Sequence, residues 1–112
     1  MNMEAFQDCY PEELSHCYGC GKNNENGHQL KSYWQHIDKD KNDLLASVTI
    51  ARFTPSDVFT AIPGFVYGGM TASLIDCHGT GSASAMAYLA QNREMGSLPA
   101  LRFVTGALNV SF

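Results

Sequence analysis

Gly69-Met-Thr-Ala-Ser-Leu-Ile-Asp-Cys-His-Gly-Thr-Gly-Ser-Ala-Ser-Ala-Met-Ala-Tyr-Leu-Ala-Gln91 is the stretch that decides the fold. Met70, Leu74, Cys77, Gly81, Ala85 and Leu89 recur at helical spacing, which predicts a helix over 69–91. A second stripe, Ala72, Asp76, Gly79 or Thr80, Ala83 and Ala87, is made almost wholly of small residues. Another backbone or a thin ligand can approach such a face closely. Asp76 is the one charged side chain on this helix, and between Arg52 and Arg93 it is joined only by Asp57. A carboxylate in such surroundings is costly unless it is hydrogen-bonded or put to use.

Upstream of the helix the period changes. Residues 30–37, with Leu30, Tyr33, Trp34 and Ile37, read as a strand. The Asp, Lys and Asn residues of 38–43 read as a charged hairpin turn. Residues 44–53 read as a second strand, in which Leu44, Ala46, Val48 and Ile50 alternate with Leu45, Ser47, Thr49 and Ala51. Pro55 and Pro63 bracket an irregular loop. Residues 92–96 end the helix, and 98–112 read as a third strand. Tyr33, Trp34 and Phe53 are expected in the core. This order predicts an α+β domain over 28–112, preceded by a loop segment, 1–27, with a Cys-x-x-Cys turn. Three strands leave much of so long a helix unmatched. The expectation is a fragment or truncated reading frame, unable to form a stable soluble monomer.

Composition narrows the class. Hydrophobic residues make up 45% and charged residues 16% of the 112, so the chain can bury a core. A net charge of −4 and seven scattered basic residues argue against a nucleic-acid partner. No signal peptide is visible at the N-terminus, and no apolar run approaches the roughly 20 residues of a membrane span. The expected location is the cytoplasm, without a membrane partner. There Cys9, Cys17, Cys20 and Cys77 stay reduced and serve metal binding, redox chemistry or packing.

Three places could carry chemistry. Asp76 could act as a general base or hold a nucleophilic water; its plain alternative is a carboxylate bonded to backbone or facing solvent. Tyr67-Gly68-Gly69 opens the helix, where unpartnered N–H groups and the helix dipole favour negative charge on a carbonyl oxygen. Its plain alternative is a turn that only starts the helix. Cys17-Tyr-Gly-Cys20-Gly looks like half of a zinc knuckle, which His16, His28 or Cys9 could complete; a tight turn with packed thiols is the simpler reading, and no metal site is expected. A zinc-stabilised small domain built on Cys17 and Cys20 stays open as a rival reading. His78, two residues beyond Asp76, points to another side of the helix and reads as a packed histidine.

The segments Cys17-Tyr-Gly-Cys-Gly-Lys-Asn-Asn-Glu-Asn-Gly27, Gly64-Phe-Val-Tyr-Gly-Gly-Met-Thr-Ala-Ser-Leu-Ile-Asp76 and Leu108-Asn-Val-Ser-Phe112, in this order, resemble the PaaI-like hot-dog thioesterases. The resemblance implies a hot-dog fold, a curved antiparallel sheet wrapped around one long central helix, here lacking its C-terminal strands. It implies hydrolysis of an acyl-CoA thioester, with coenzyme A present only as part of the substrate and no other cofactor. It implies self-association as a dimer or tetramer with sites between subunits. Its catalytic roles fall on Gly68 as oxyanion donor, Asp76 as base or water-holder and Thr105 as hydroxyl support, with Tyr67, Gly69 and Thr71 contacting substrate. Tyr67 stands where many relatives carry His, and Ala61 where some carry Asn. Loss of one carbonyl donor costs about 3–4 kcal/mol of transition-state stabilisation. These departures motivate an alternative, a hot-dog protein that binds acyl-CoA without turnover.

Overall fold

The computed structural model describes residues 4–38 and 46–112. Two strands, β1 (Ser32–His36) and β2 (Val48–Ala51), pair antiparallel, and one long helix, α1 (Gly68–Ala90), packs on them. The architecture is α+β. Most of the expected turn at 38–43, and positions 44 and 45 of the second strand, lie outside the described residues. Short 3-10 turns at Phe6–Cys9 and Glu12–Leu14 shape the N-terminal segment, and a third at Asp57–Phe59 lies in the proline-bracketed loop. Among the described residues no helix is long and apolar enough to cross a membrane.

α1 forms against poor local odds. It contains Gly68, Gly69, Gly79 and Gly81, and glycine within a helix costs about 1 kcal/mol relative to Ala. Its first turn carries no acidic residue and its last no basic one, so side-chain charge does not offset the dipole. Packing makes up the difference. Met70, Cys77, Gly81 and Ala85 of the first stripe are buried, joined by Ser84 and Tyr88. Burying a side chain the size of Met70 contributes about 1.5–3 kcal/mol. Gly81 is needed where it stands, because a Cβ there would lie 2.7 Å from Nε2 of the fully buried Gln7. The helix stops at Ala90, with Asn92 following in the left-handed region at φ 54°.

The joint between sheet and helix is polar. His78 Nδ1 lies 2.9 Å from Ser32 Oγ, and Nε2 lies 3.4 Å from Thr49 Oγ1. Thr49 Oγ1 also lies 2.7 Å from Ser82 Oγ. Gln7 closes the network from the N-terminal side. Its Nε2 donates to Ser32 Oγ at 3.0 Å, and its Oε1 accepts the Ser32 N–H at 2.7 Å. Burial holds the His78 pKa below its ordinary value, so the ring stays neutral and can donate from one nitrogen while accepting at the other.

An apolar cluster of Cys20, Leu30 and Cys77, with Ala51, Phe53 and Leu74 against it, lies beside this network. Trp34 meets Phe6 edge-on at 5.4 Å between ring centroids, and the His28 ring sits among Tyr18, Phe53 and Phe59. Tyr33 corrects an expectation, because it is exposed rather than in the core. Strand side chains alternate, and Ser32 takes the inner face, so Tyr33 turns outward.

The expected third strand is also corrected. No strand forms within 98–112. A strand requires a neighbour's N–H and C=O groups, and the start of this segment is bonded to the side chains of Tyr88 and Arg93 instead. The Leu101 N–H donates to Tyr88 Oη at 2.9 Å, Tyr88 Oη donates to the Ser97 carbonyl at 3.3 Å, and Arg93 Nη2 reaches the same carbonyl at 2.7 Å. Beyond Leu101 the segment runs along α1 rather than beside β1 or β2. If His78 is the joint, His78→Ala should lower stability by about 1–3 kcal/mol, read as a lower urea midpoint at unchanged protein concentration. An unchanged midpoint would remove the joint from the account.

Candidate functional site

The rotation of α1 places the site. Successive residues turn by about 100°, so Asp76 lies about 200° from His78 and faces away from the sheet. On that outer side lies the small-residue stripe. Asp76, Gly79, Thr80 and Ala83 form one wall of a cleft of about 290 Å³, and Phe103, Val104, Thr105 and Leu108 form the other. A Cβ on Gly79 would meet nothing within 4 Å, so this wall is open rather than packed.

The Thr105 hydroxyl donates to Asp76 Oδ1 across the cleft. Asp76 is half-buried and Thr105 exposed. The hydroxyl supplies one of the partners a carboxylate needs in a charge-poor wall. Such an arrangement can orient a water and accept its proton. Within the helix, Thr80 Oγ1 donates back to the carbonyls of Asp76 and Cys77 at 3.1 and 3.2 Å and so spends its hydroxyl on the backbone.

The helix start lies apart. Gly68 is eight residues before Asp76, about 12 Å along the axis at 1.5 Å per residue. Tyr67 is the N-cap and supplies no side-chain hydrogen bond to the first turn. Its ring folds over Gly69, where a Cβ would fall 2.5 Å from Tyr67 Cε2. The Phe112 ring lies over Gly68, with Cζ 3.5 Å from where a Cβ would stand. Gly68, Gly69 and Tyr67 are all exposed, and Thr71 is half-buried in the next turn. Ala61 sits in the preceding loop, its N–H bonded to the Phe65 carbonyl at 2.8 Å. Of the expected site residues, the chain brings Asp76 and Thr105 together and holds Tyr67, Gly68, Gly69 and Thr71 apart from them, at the start of the helix.

The cysteine segment holds a group that sequence reading missed. Cys17, Cys20 and Cys77 bring their sulfurs within 4.8 Å of one another. None of the three residues suggested as completing the knuckle is in this group. Cys9 Sγ bonds the Ala5 carbonyl at 3.4 Å, and burial pushes its pKa up to about 11. His28 is enclosed by aromatic rings, and His16 is exposed. Hydrogen bonding to Cys20, and then burial, raise the Cys77 pKa well above the usual thiol range. The available signal was a cysteine on the buried stripe of α1, facing a chain that held two unassigned thiols.

No protein-family model matches the chain, nor does any curated protein or solved structure. The Asp76–Thr105 bond is the one side-chain hydrogen bond between α1 and residues 103–112 among the described residues. Thr105→Val should therefore speed limited proteolysis within 103–108 while leaving helix content, by circular dichroism, unchanged. Equal nicking rates would show that apolar contacts alone hold the segment.

Proposed function

We propose that this protein hydrolyses an acyl-CoA thioester by attack of a water held by Asp76, with Thr105 orienting the carboxylate. What supports the reading is the Thr105–Asp76 hydrogen bond at the cleft over the small-residue face of α1. Two residues 29 apart in sequence, singled out for these roles by the resemblance, meet across an open cleft. In this reading β1, β2 and α1 are part of a hot-dog domain, and no cofactor is required. The site would serve the cytoplasm.

The carbonyl side of the reaction constrains the assembly. A reacting carbonyl and its water lie about 3–3.5 Å apart. Gly68 and Asp76 of one chain, about 12 Å apart along the helix, cannot both touch one thioester. The reading therefore takes Gly68 from one subunit and Asp76 with Thr105 from the other. Exposed apolar side chains along the same face, Val104 and Leu108 beside the cleft and Phe112 at the helix start, favour such self-association. At the helix start the uncapped N–H groups and the uncompensated dipole would stabilise the oxyanion. Tyr67, Gly69 and Thr71 would contact the acyl-CoA there.

A second reading has its own observation. The Tyr67 ring stands against Gly69 and the Phe112 ring against Gly68, the glycines at the helix start on which the oxyanion role depends. A protein that keeps them covered would bind acyl-CoA without turning it over. Calorimetric binding of acyl-CoA with no thiol release would favour that reading.

For the hydrolase, Asp76→Ala should lower thiol release from acyl-CoA by about 100- to 10,000-fold, the usual worth of general base catalysis, with the helix signal kept. Thr105→Val should cost about tenfold, as expected for one hydrogen bond to a charged group. Undiminished turnover by Asp76→Ala would rule the mechanism out.

A further inference from the structure

We propose that Cys17, Cys20 and Cys77 form a three-thiolate site for a zinc-class divalent cation, joining the N-terminal turn to α1. A tetrahedral ion with metal–sulfur bonds of about 2.3 Å sets its sulfurs about 3.8 Å apart. Cys17 Sγ and Cys77 Sγ already lie 3.9 Å apart, and all three sulfurs fall within 4.8 Å. Side-chain shifts of under about 1 Å would bring the set to ideal spacing.

The backbone around the thiols is built for closeness. Gly21 N–H donates to the Cys17 carbonyl at 2.7 Å, which closes the Cys-x-x-Cys turn. A Cβ on Gly19 would lie 2.3 Å from Cys77 Sγ, and one on Gly21 would lie 2.5 Å from the Cys17 nitrogen. Only glycine at both positions lets the turn seat two sulfurs against a helix that contributes the third. Cys20 and Cys77 are buried while Cys17 is exposed, so the group has a dry side and an entry side.

Among the described residues no further His, Cys, Asp or Glu side chain joins this group. Cys17 and Cys20 instead line a cleft of about 240 Å³ with Tyr10, Thr80 and Ser84. In this proposal a water takes the fourth coordination position. Soft thiolate donors select zinc-class or cuprous ions over calcium and magnesium. The ion would cross-link residues 57 positions apart in sequence, between Cys20 and Cys77, and hold α1 one residue from Asp76. This inference does not depend on the hydrolytic reading.

The test is metal titration of the reduced, chelator-treated protein, using cobalt as a spectroscopic probe and zinc in competition with a chromophoric chelator. The expected result is one equivalent per chain, with a thiolate-to-cobalt charge-transfer absorption and a higher thermal midpoint with zinc. Cys77→Ser and Cys17→Ser should each weaken binding by about 100-fold or more, since loss of even an outer partner of a ligand costs 10- to 100-fold. Cys9→Ser should bind like wild type. Because Cys17 is exposed, its variant keeps the test valid even if Cys77→Ser does not fold. Wild-type affinity in Cys17→Ser, absence of the charge-transfer band in folded protein, or a Cys17–Cys20 or Cys17–Cys77 disulfide persisting under reductant would overturn the proposal.

Discussion

The imidazole of His78, held between Ser32 of β1 and Thr49 of β2, fixes the rotation of α1, and the other faces of the helix take their roles from it. A helix turns by about 100° per residue, so one anchored position assigns all the rest. With His78 on the sheet, Cys77 faces the N-terminal turn and Asp76 faces the outer cleft. Three consecutive residues, Asp76, Cys77 and His78, thereby serve three different neighbours: the 103–108 segment, the thiol group and the sheet. The buried side chains of Met70, Cys77, Ala85 and Tyr88 hold the same rotation through packing, and the small-residue stripe is left on the outer side.

The joint is polar because both sides of it are satisfied. Gln7 and Ser32 are fully buried, yet every polar atom in their network finds a partner, and no buried side-chain polar atom among the described residues lacks one. A satisfied polar network specifies one geometry more sharply than an apolar contact of equal area, because a slipped register leaves groups unpaired. Loss of one member exposes the others to the same cost. The N-terminal segment belongs to this arrangement through Gln7, and again through Cys17 and Cys20. It is part of the structural frame of α1 rather than an appendage.

The elements legible in the sequence were those whose signal is local. The 3.6-residue stripe beginning at Met70 placed the helix to within one residue at each end, and β1 and β2 fall inside the stretches read as strands. The small stripe through Asp76 and Ala83 was read as a face open to close approach, and residues 103–108 lie along it. Residues 98–112 were misread because Leu101, Phe103, Val104 and Val110 have strand composition, while strand formation depends on a partner edge that composition does not show. Tyr88 and Arg93 hold the start of that segment instead. Cys77 was legible as a buried stripe residue but not as the third thiol, since its partners lie 57 and 60 positions away. Thr105 came only from the resemblance. Nothing in its local sequence marks a hydroxyl that will reach a carboxylate 29 residues earlier.

The most direct test of this account is the set of nuclear Overhauser effects from the His78 ring and from the Asp76 side chain in isotopically labelled protein. If His78 sets the helix rotation, its ring protons should show contacts to Ser32 and Thr49, and the Asp76 side chain should show contacts to Thr105 and none to either strand. Contacts from Asp76 to β1 or β2, or a His78 ring that meets only its own helix neighbours, would contradict it.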